Sequence, residues 1–217
     1  MNLQEKFVIT IARELGSGGH TVGKILAERL GVKCYDKAVV DGLVKHFNLT
    51  SAQIEEIKGA KTHWWDDFAS SALVVGATPT YEEFATNPIS AETHYPTSGE
   101  LFFCEKEILQ GIAERESCVI TGRSGFFILK NHPNMLAIYI GASMPTRIKR
   151  VMEKQKLSEK EAKEVIEMVD RRRETFVQRY AGTSRYDLRN YHLGLNMDDL
   201  TEEDAVECIL QFLGKKK

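Results

Sequence analysis

The segment that most constrains this chain runs from Ile9 to Gly31, ITIARELGSGGHTVGKILAERLG. An apolar, β-branched run leads into a turn containing Gly16, Gly18 and Gly19, and a helical stretch follows without a spacer. That order dictates a strand, a tight turn and a helix that starts at the strand's carboxyl end. Free backbone N–H groups and the positive helix end then share one concavity, which is an anion site. Glycines there let the backbone approach a phosphate closely. The usual phosphate loop, G-x-x-x-x-G-K-[ST], places a lysine and then a hydroxyl at the mouth of the helix. With Gly18 as its second glycine, the lysine position holds Gly19 and the hydroxyl position His20.

Two phosphate chemistries fit the turn. A dinucleotide fingerprint, G-x-G-x-x-G, would use Gly16 and Gly18, with Asp36, 20 residues beyond Gly16, as the ribose-binding acid. Its third glycine position, however, is Thr21. A hydroxyl at that point suits a magnesium ligand in a phosphoryl-transfer loop shifted by one residue.

Five short apolar runs read as strands buried on both faces: residues 7–12, 32–36, 118–122, 135–142 and 191–197. Helical stretches lie between them. One runs from Thr21 to Leu30 and stops at Gly31, and Thr50/Gln53, Thr97/Glu100 and Ser158/Glu161 fit capping boxes. Thr201 caps a last helix with Gly214 after it. Strands alternating with helices imply right-handed crossovers and a three-layer α/β fold. Residues 60–98 break the pattern, holding both tryptophans and three of the five prolines, and an irregular segment of that length and aromatic content reads as functional.

With 217 residues the chain suits one domain, with room for an inserted subdomain. Its 29 basic and 31 acidic residues give a net charge of −2, which argues against bulk binding to nucleic acid or an anionic membrane. Any basic site must be local. Cys34, Cys104, Cys118 and Cys208 lack C-x-x-C spacing and read as buried thiols in a reducing compartment. The amino-terminal apolar run is too short for a signal peptide, and no run approaches the ~20 residues of a membrane span, so a cytoplasmic location is expected.

The second half carries the local basic site. Arg147 and Arg150 are spaced to share a helix face, and Arg171, Arg172, Arg173, Arg179, Arg185 and Arg189 follow within 19 residues. This run is arginine without lysine, the choice where planar bidentate contact to phosphate matters. Such a segment, 170–189, is expected to be mobile until phosphates neutralise it.

Together, ITIARELGSGGHTVGKILAERLGVKCYDK, VITGRSGFFIL and DRRRETFVQRYAGTSRYDLRNYHLGLNMDDL, in this order, resemble the cytidylate kinase-like family of P-loop proteins, relatives of bacterial CMP kinase. The resemblance covers nearly the whole chain and is weakest across 60–98. It implies a five-stranded parallel sheet in order 2-3-1-4-5 within a single P-loop domain over 1–217, an acceptor-binding insertion at 37–98 and an arginine-rich lid at 143–190. It also implies ATP as phosphoryl donor, magnesium, and a small phosphate acceptor such as CMP. Oligomeric state is left open.

The family loop, G-x-S-G-x-G-K-[GS]-T, pairs Arg13 with the first glycine, Gly16 and Gly18 with the next two, Gly19 with the lysine and Thr21 with the terminal threonine. Gly16, Ser17, Gly18, Gly19, His20 and Thr21 are thus the expected phosphate-binding residues, and Thr21 the metal ligand. Arg13 leaves the first strand at the loop entrance and is the candidate to replace the missing lysine, with its guanidinium forking onto phosphate. By resemblance Arg123 of GRSG, Asp36 of CYDK and the Asp170/Arg173 pair serve the acceptor. Arg13, Arg123, Arg147, Asp170 and Arg173 are the candidate catalytic residues. Two rival readings remain: a non-catalytic nucleotide-binding regulatory protein with a degenerate loop, and an NAD-type oxidoreductase.

Overall fold

The computed structural model describes residues 1–36 and 98–215. The capping pair Thr50/Gln53 and most of the irregular 60–98 stretch lie outside them. The backbone divides into two compact units, Met1–Asp36 with Leu109–Lys217, and Lys37–Ile108. Of the second, the described residues are 98–108, the first part of helix α2 (Ser98–Arg115).

The first unit is built on a parallel sheet of β1 (Val8–Arg13), β2 (Lys33–Tyr35), β3 (Cys118–Thr121), β4 (Met135–Gly141) and β5 (Leu193–Asn196), in order β2-β3-β1-β4-β5. The expected order is therefore observed. Because β3 lies between β1 and β2, the sheet differs from the 3-2-1-4-5-6 order of dinucleotide-binding folds, and the oxidoreductase reading falls. β1 is the central strand, in register with both Cys118–Thr121 and Met135–Ile140. Apolar burial is near-complete on β3 and on Val8–Ile11 of β1. The edge strand β5 departs from the expectation of burial on both faces: Leu193 and Leu195 are half-buried while Gly194 and Asn196 are exposed, the alternation of a strand with one covered face.

The helices are α1 (Gly19–Leu30), α2, α3 (Gly125–Ile128), α4 (Met144–Gln155), α5 (Glu159–Ala181) and α6 (Glu202–Lys215). One sheet face is covered by α1, through Val22 and Leu26, and by α6, through Ala205, Val206, Ile209 and Leu213. Ile9, Ile11, Val119, Leu136, Ile138 and Ile140 meet them from the sheet. Phe126 of α3, Ala137 of β4 and Val177 of α5 cluster together apart from these. A further cluster joins α4 to α5 through Val151, Ala162 and Ile166, and Leu15 of the turn packs against it. The loop after β1 is thus anchored by its one apolar side chain.

Helix α1 begins at Gly19, two residues before the expected Thr21, since Gly18 takes a left-handed backbone (φ 84) and caps it without a side chain. It ends at Gly31 (φ 66), as expected. The Ser158/Glu161 capping box is present, and Thr201 accepts from the Asp204 amide at 3.1 Å. Helix α6 runs through Gly214 to Lys215 rather than stopping before it. Of the cysteines, Cys118 is buried and Cys34 half-buried, but Cys208 is exposed on α6, because the helix turns that position away from its buried Ala205–Ile209–Leu213 stripe.

Close packing of α1 on β3 makes a specific demand at Gly23, where a Cβ would lie 2.2 Å from Thr121 Cγ2. Gly23→Ala should therefore destabilise the protein by about 1–3 kcal/mol despite alanine's better helix propensity. Urea unfolding checks this, and Thr121→Ser, which removes that methyl, should restore part of the loss in the double variant.

Candidate functional site

Side chains alternate along β1, so Arg13 continues the Ile9–Ile11 face and emerges beneath the start of α1. A Cβ on Gly19 would lie 2.8 Å from Arg13 Cβ. After Arg13 the chain turns: Ser17 donates through its amide (3.3 Å) and its hydroxyl (2.9 Å) to the Glu14 carbonyl. Gly16 (φ 82) and Gly18 (φ 84) take the left-handed conformations that need glycine. At Gly16 a Cβ would in addition meet the Arg147 carbonyl oxygen at 2.8 Å. The first bond inside the helix runs from the Val22 amide to the Gly18 carbonyl at 3.1 Å, and the Gly19 amide makes a 3.4 Å contact to Ser17 Oγ.

That leaves the amides of Gly16, Gly18, His20 and Thr21 without a hydrogen-bond partner among the described residues. Four N–H donors at a helix start, with the helix dipole behind them, form a preorganised cradle for an anion. Thr21 is exposed in the first turn of α1. His20 Nε2 faces Asp36 Oδ2 at 3.6 Å, and burial holds the imidazole pKa below its usual value, against the pull of Asp36.

Around this cradle stands a set of arginines organised by one carboxylate. Asp170, on α5 and 5% exposed, accepts from Arg147 Nη1 at 2.5 Å and from Arg185 Nη1 at 3.2 Å, and lies 3.5 Å from Arg173 Nη1. Its Oδ1 also accepts from the Leu15 amide at 3.2 Å, so the same group holds the loop backbone. Arg173 donates to the Arg13 carbonyl at 3.1 Å, and Arg185 donates to that oxygen as well. Arg147 reaches Glu14 Oε1 at 3.5 Å, while Glu14 Oε2 accepts from the Ala142 amide. Arg150 donates to the Ser17 carbonyl at 2.9 Å, tying α4 to the loop. Asp170 offsets part of the repulsion among Arg147, Arg173 and Arg185 within the protein.

Arg13 is a contrast. Its guanidinium lies over Gly122, at the carboxyl end of β3, where a Cβ would sit 2.0 Å from Arg13 Nη1. It makes no hydrogen bond or ion pair with a described residue, and its pKa is pushed down to about 10, first by burial, then by Arg173, with Asp36 opposing. Burial and Arg185 likewise depress Arg173.

Of the residues expected at the site, Gly16, Ser17, Gly18, Gly19, His20 and Thr21 form the loop and helix start, and Arg13, Arg147, Asp170 and Arg173 converge on it. Asp36 follows β2 and lies beside His20. Arg123 follows β3, and Gly122 (φ 83), Arg123 (φ 53) and Ser124 (φ 53) form three consecutive left-handed residues. Such backbone is costly away from glycine and clusters at functional sites. Arg171, Arg172, Arg179 and Arg189 are exposed, the last paired with Asp187. Arg185, 3% exposed, belongs to the arginine run without being among the candidate site residues, Arg150 is read from the sequence only as sharing a helix face with Arg147, and Glu14 has no place in the sequence reading of the site. In a run this rich in charge, only the tertiary fold tells which guanidinium turns inward.

A family model described as the cytidylate kinase-like family matches residues 8–199. The chain belongs to the cytidylate kinase-like family. Among curated relatives of this family member, the cytidylate kinase of Sulfolobus acidocaldarius is 24% identical over 212 residues, covering 96% of this chain and 94% of that one. Among solved structures, a protein from Eubacterium ventriosum matches with a TM-score of 0.68 at 23% identity, covering 97% of this chain and 100% of that one. Shikimate kinase from Acinetobacter baumannii, solved with shikimate, matches with a TM-score of 0.53 at 14% identity, covering 99% and 97%. The fold is that of the P-loop kinases.

Two substitutions test this electrostatic arrangement. Asp170→Asn would leave buried guanidiniums uncompensated and should cost about 3–5 kcal/mol in urea unfolding; a loss under about 1 kcal/mol would contradict the assigned role. Arg13 works in the opposite sense. Its folded pKa lies below the unfolded value, so the fold disfavours the charged form, a penalty fully present below pH 10 and relieved as pH rises through about 10. Arg13→Met, which keeps the apolar stem, should therefore raise the melting temperature at pH 8.

Proposed function

We propose that this protein is an ATP-dependent phosphotransferase that moves the γ-phosphoryl group to a small acceptor. The observation that carries the reading is the cradle of four unengaged amides at the start of α1, on a loop whose flanks are held by Arg147, Arg173 and Arg185 through Asp170 and the Arg13 carbonyl. Phosphoryl transfer needs positioning and charge neutralisation more than a covalent catalyst, and a loop of N–H donors faced by arginines provides both.

The loop amides bind the donor phosphates, and the neighbouring guanidiniums neutralise charge spread over the transferring group. Asp170 is a positioning residue: it neither donates nor accepts a proton from substrate but fixes the directions of Arg147, Arg173 and Arg185. Magnesium fits this loop, because it takes most of its ligands from phosphates and water, and one exposed hydroxyl, Thr21, stands beside the unengaged amides. Bound there, it would neutralise charge between adjacent phosphates.

The acceptor side is assigned to Asp36 and Arg123, at the carboxyl ends of β2 and β3, with residues 37–98 as acceptor-binding insertion and 143–190 as lid. Family membership and the cytidylate kinase relative favour a nucleoside monophosphate, CMP first among them. A second reading, a nucleotide-binding regulatory protein without turnover, draws on one feature, the glycine in place of the loop lysine.

An ADP-release assay with ATP and magnesium over a panel of nucleoside monophosphates and hydroxyl-bearing small acids and sugars tests the proposal. One acceptor should raise ADP release at least about tenfold over ATP alone. Tight ATP binding with no acceptor-dependent release would favour the regulatory reading instead.

A further inference from the structure

Position 19 has no room for the lysine that phosphate loops place there. A Cβ on Gly19 would meet Arg13 Cβ at 2.8 Å and Ile140 Cβ at 3.3 Å, and since Gly19 has an ordinary helical backbone, space and not conformation keeps it glycine. The group that fills the space belongs to Arg13, whose counterpart in the family loop is a glycine. The two positions have exchanged partners: cation on the helix with glycine on the strand has become cation on the strand with glycine on the helix.

A second glycine completes the arrangement. Arg13's side chain passes from beneath Gly19 to lay its guanidinium across Gly122, where any Cβ would fall 2.0 Å from Nη1. Gly19 thus admits the base of the side chain and Gly122 its head. The head ends beside the loop with no hydrogen-bond or ion-pair partner among the described residues, next to Arg173 and Arg185 and with Asp36 as the opposing charge. An unpaired guanidinium held among like charges is a site that lacks an anion.

From this geometry we infer that Arg13 contacts the donor phosphates in place of the loop lysine, and that Gly19 and Gly122 are glycine in order to hold it. The inference rests on the phosphotransferase reading and deepens it. It implies that the two arrangements exclude each other: arginine at 13 with glycine at 19, or glycine at 13 with lysine at 19, but not both cations together.

The test is ATP affinity by calorimetry, with circular dichroism as the check on folding, for wild type, Arg13→Met, Gly19→Lys and the double variant Arg13→Gly/Gly19→Lys. A charge-assisted contact to phosphate is worth about 10- to 150-fold in affinity, so Arg13→Met should weaken ATP binding by that factor while remaining folded. Gly19→Lys alone, which forces its Cβ onto Arg13, should bind no better than wild type and melt lower. The double variant should recover at least about fivefold over Arg13→Met. A folded Arg13→Met protein that binds ATP like wild type overturns the inference while leaving the phosphotransferase reading standing, and so does a double variant no better than Arg13→Met. Wild type that binds no ATP overturns the phosphotransferase reading, and this inference with it.

Discussion

Most of what surrounds the loop depends on the carboxylate of Asp170. It is 5% exposed, and it meets two guanidiniums within hydrogen-bonding distance, a third at 3.5 Å and the amide of Leu15. A buried carboxylate is costly unless so satisfied, and buried arginines are costly unless so paired. The consequence is mutual: α5 supplies the anion, α4 and the segment after α5 supply cations, and the turn after β1 supplies an amide. Four separate stretches of chain are thereby fixed to one another at the carboxyl edge of the sheet, where ligands of open α/β folds bind.

Around that knot the site is electropositive in a particular way. Arg147 and Arg185 are balanced by Asp170 and Glu14, and Arg150 spends its donors on backbone carbonyls. Arg13 is left with no such partner among the described residues, and burial pushes its pKa down. The protein tolerates an unfavourable charge next to four unengaged amides. Stored electrostatic cost of this kind is expected where a ligand of opposite sign is to be bound, since binding then relieves it.

How much of this was legible in the sequence follows from the range of the forces involved. The strand–glycine–helix unit was readable because glycine conformations and helix starts are local, and the order 2-3-1-4-5 was implied by resemblance and is observed. The helix start was placed two residues late because Gly18 caps by backbone conformation and leaves no side-chain signal. The six arginines from 171 to 189 gave no clue to their directions; Arg173 and Arg185 turn inward only because Asp170 and the Arg13 carbonyl await them, contacts spanning up to 172 residues of chain. Nor could composition reveal that Gly19 and Gly122 are shaped around one side chain, which is a matter of distances across three elements. The missing lysine was visible at once, but the reason for it was steric and lay on a neighbouring strand.

The central claim is that the turn after β1 is a phosphate-binding loop. A crystal structure with a non-hydrolysable ATP analogue and magnesium tests it most directly. The account predicts phosphate oxygens within hydrogen-bonding distance of the Gly18, His20 and Thr21 amides. A nucleotide seated elsewhere, with those amides bonded within the protein, would contradict it.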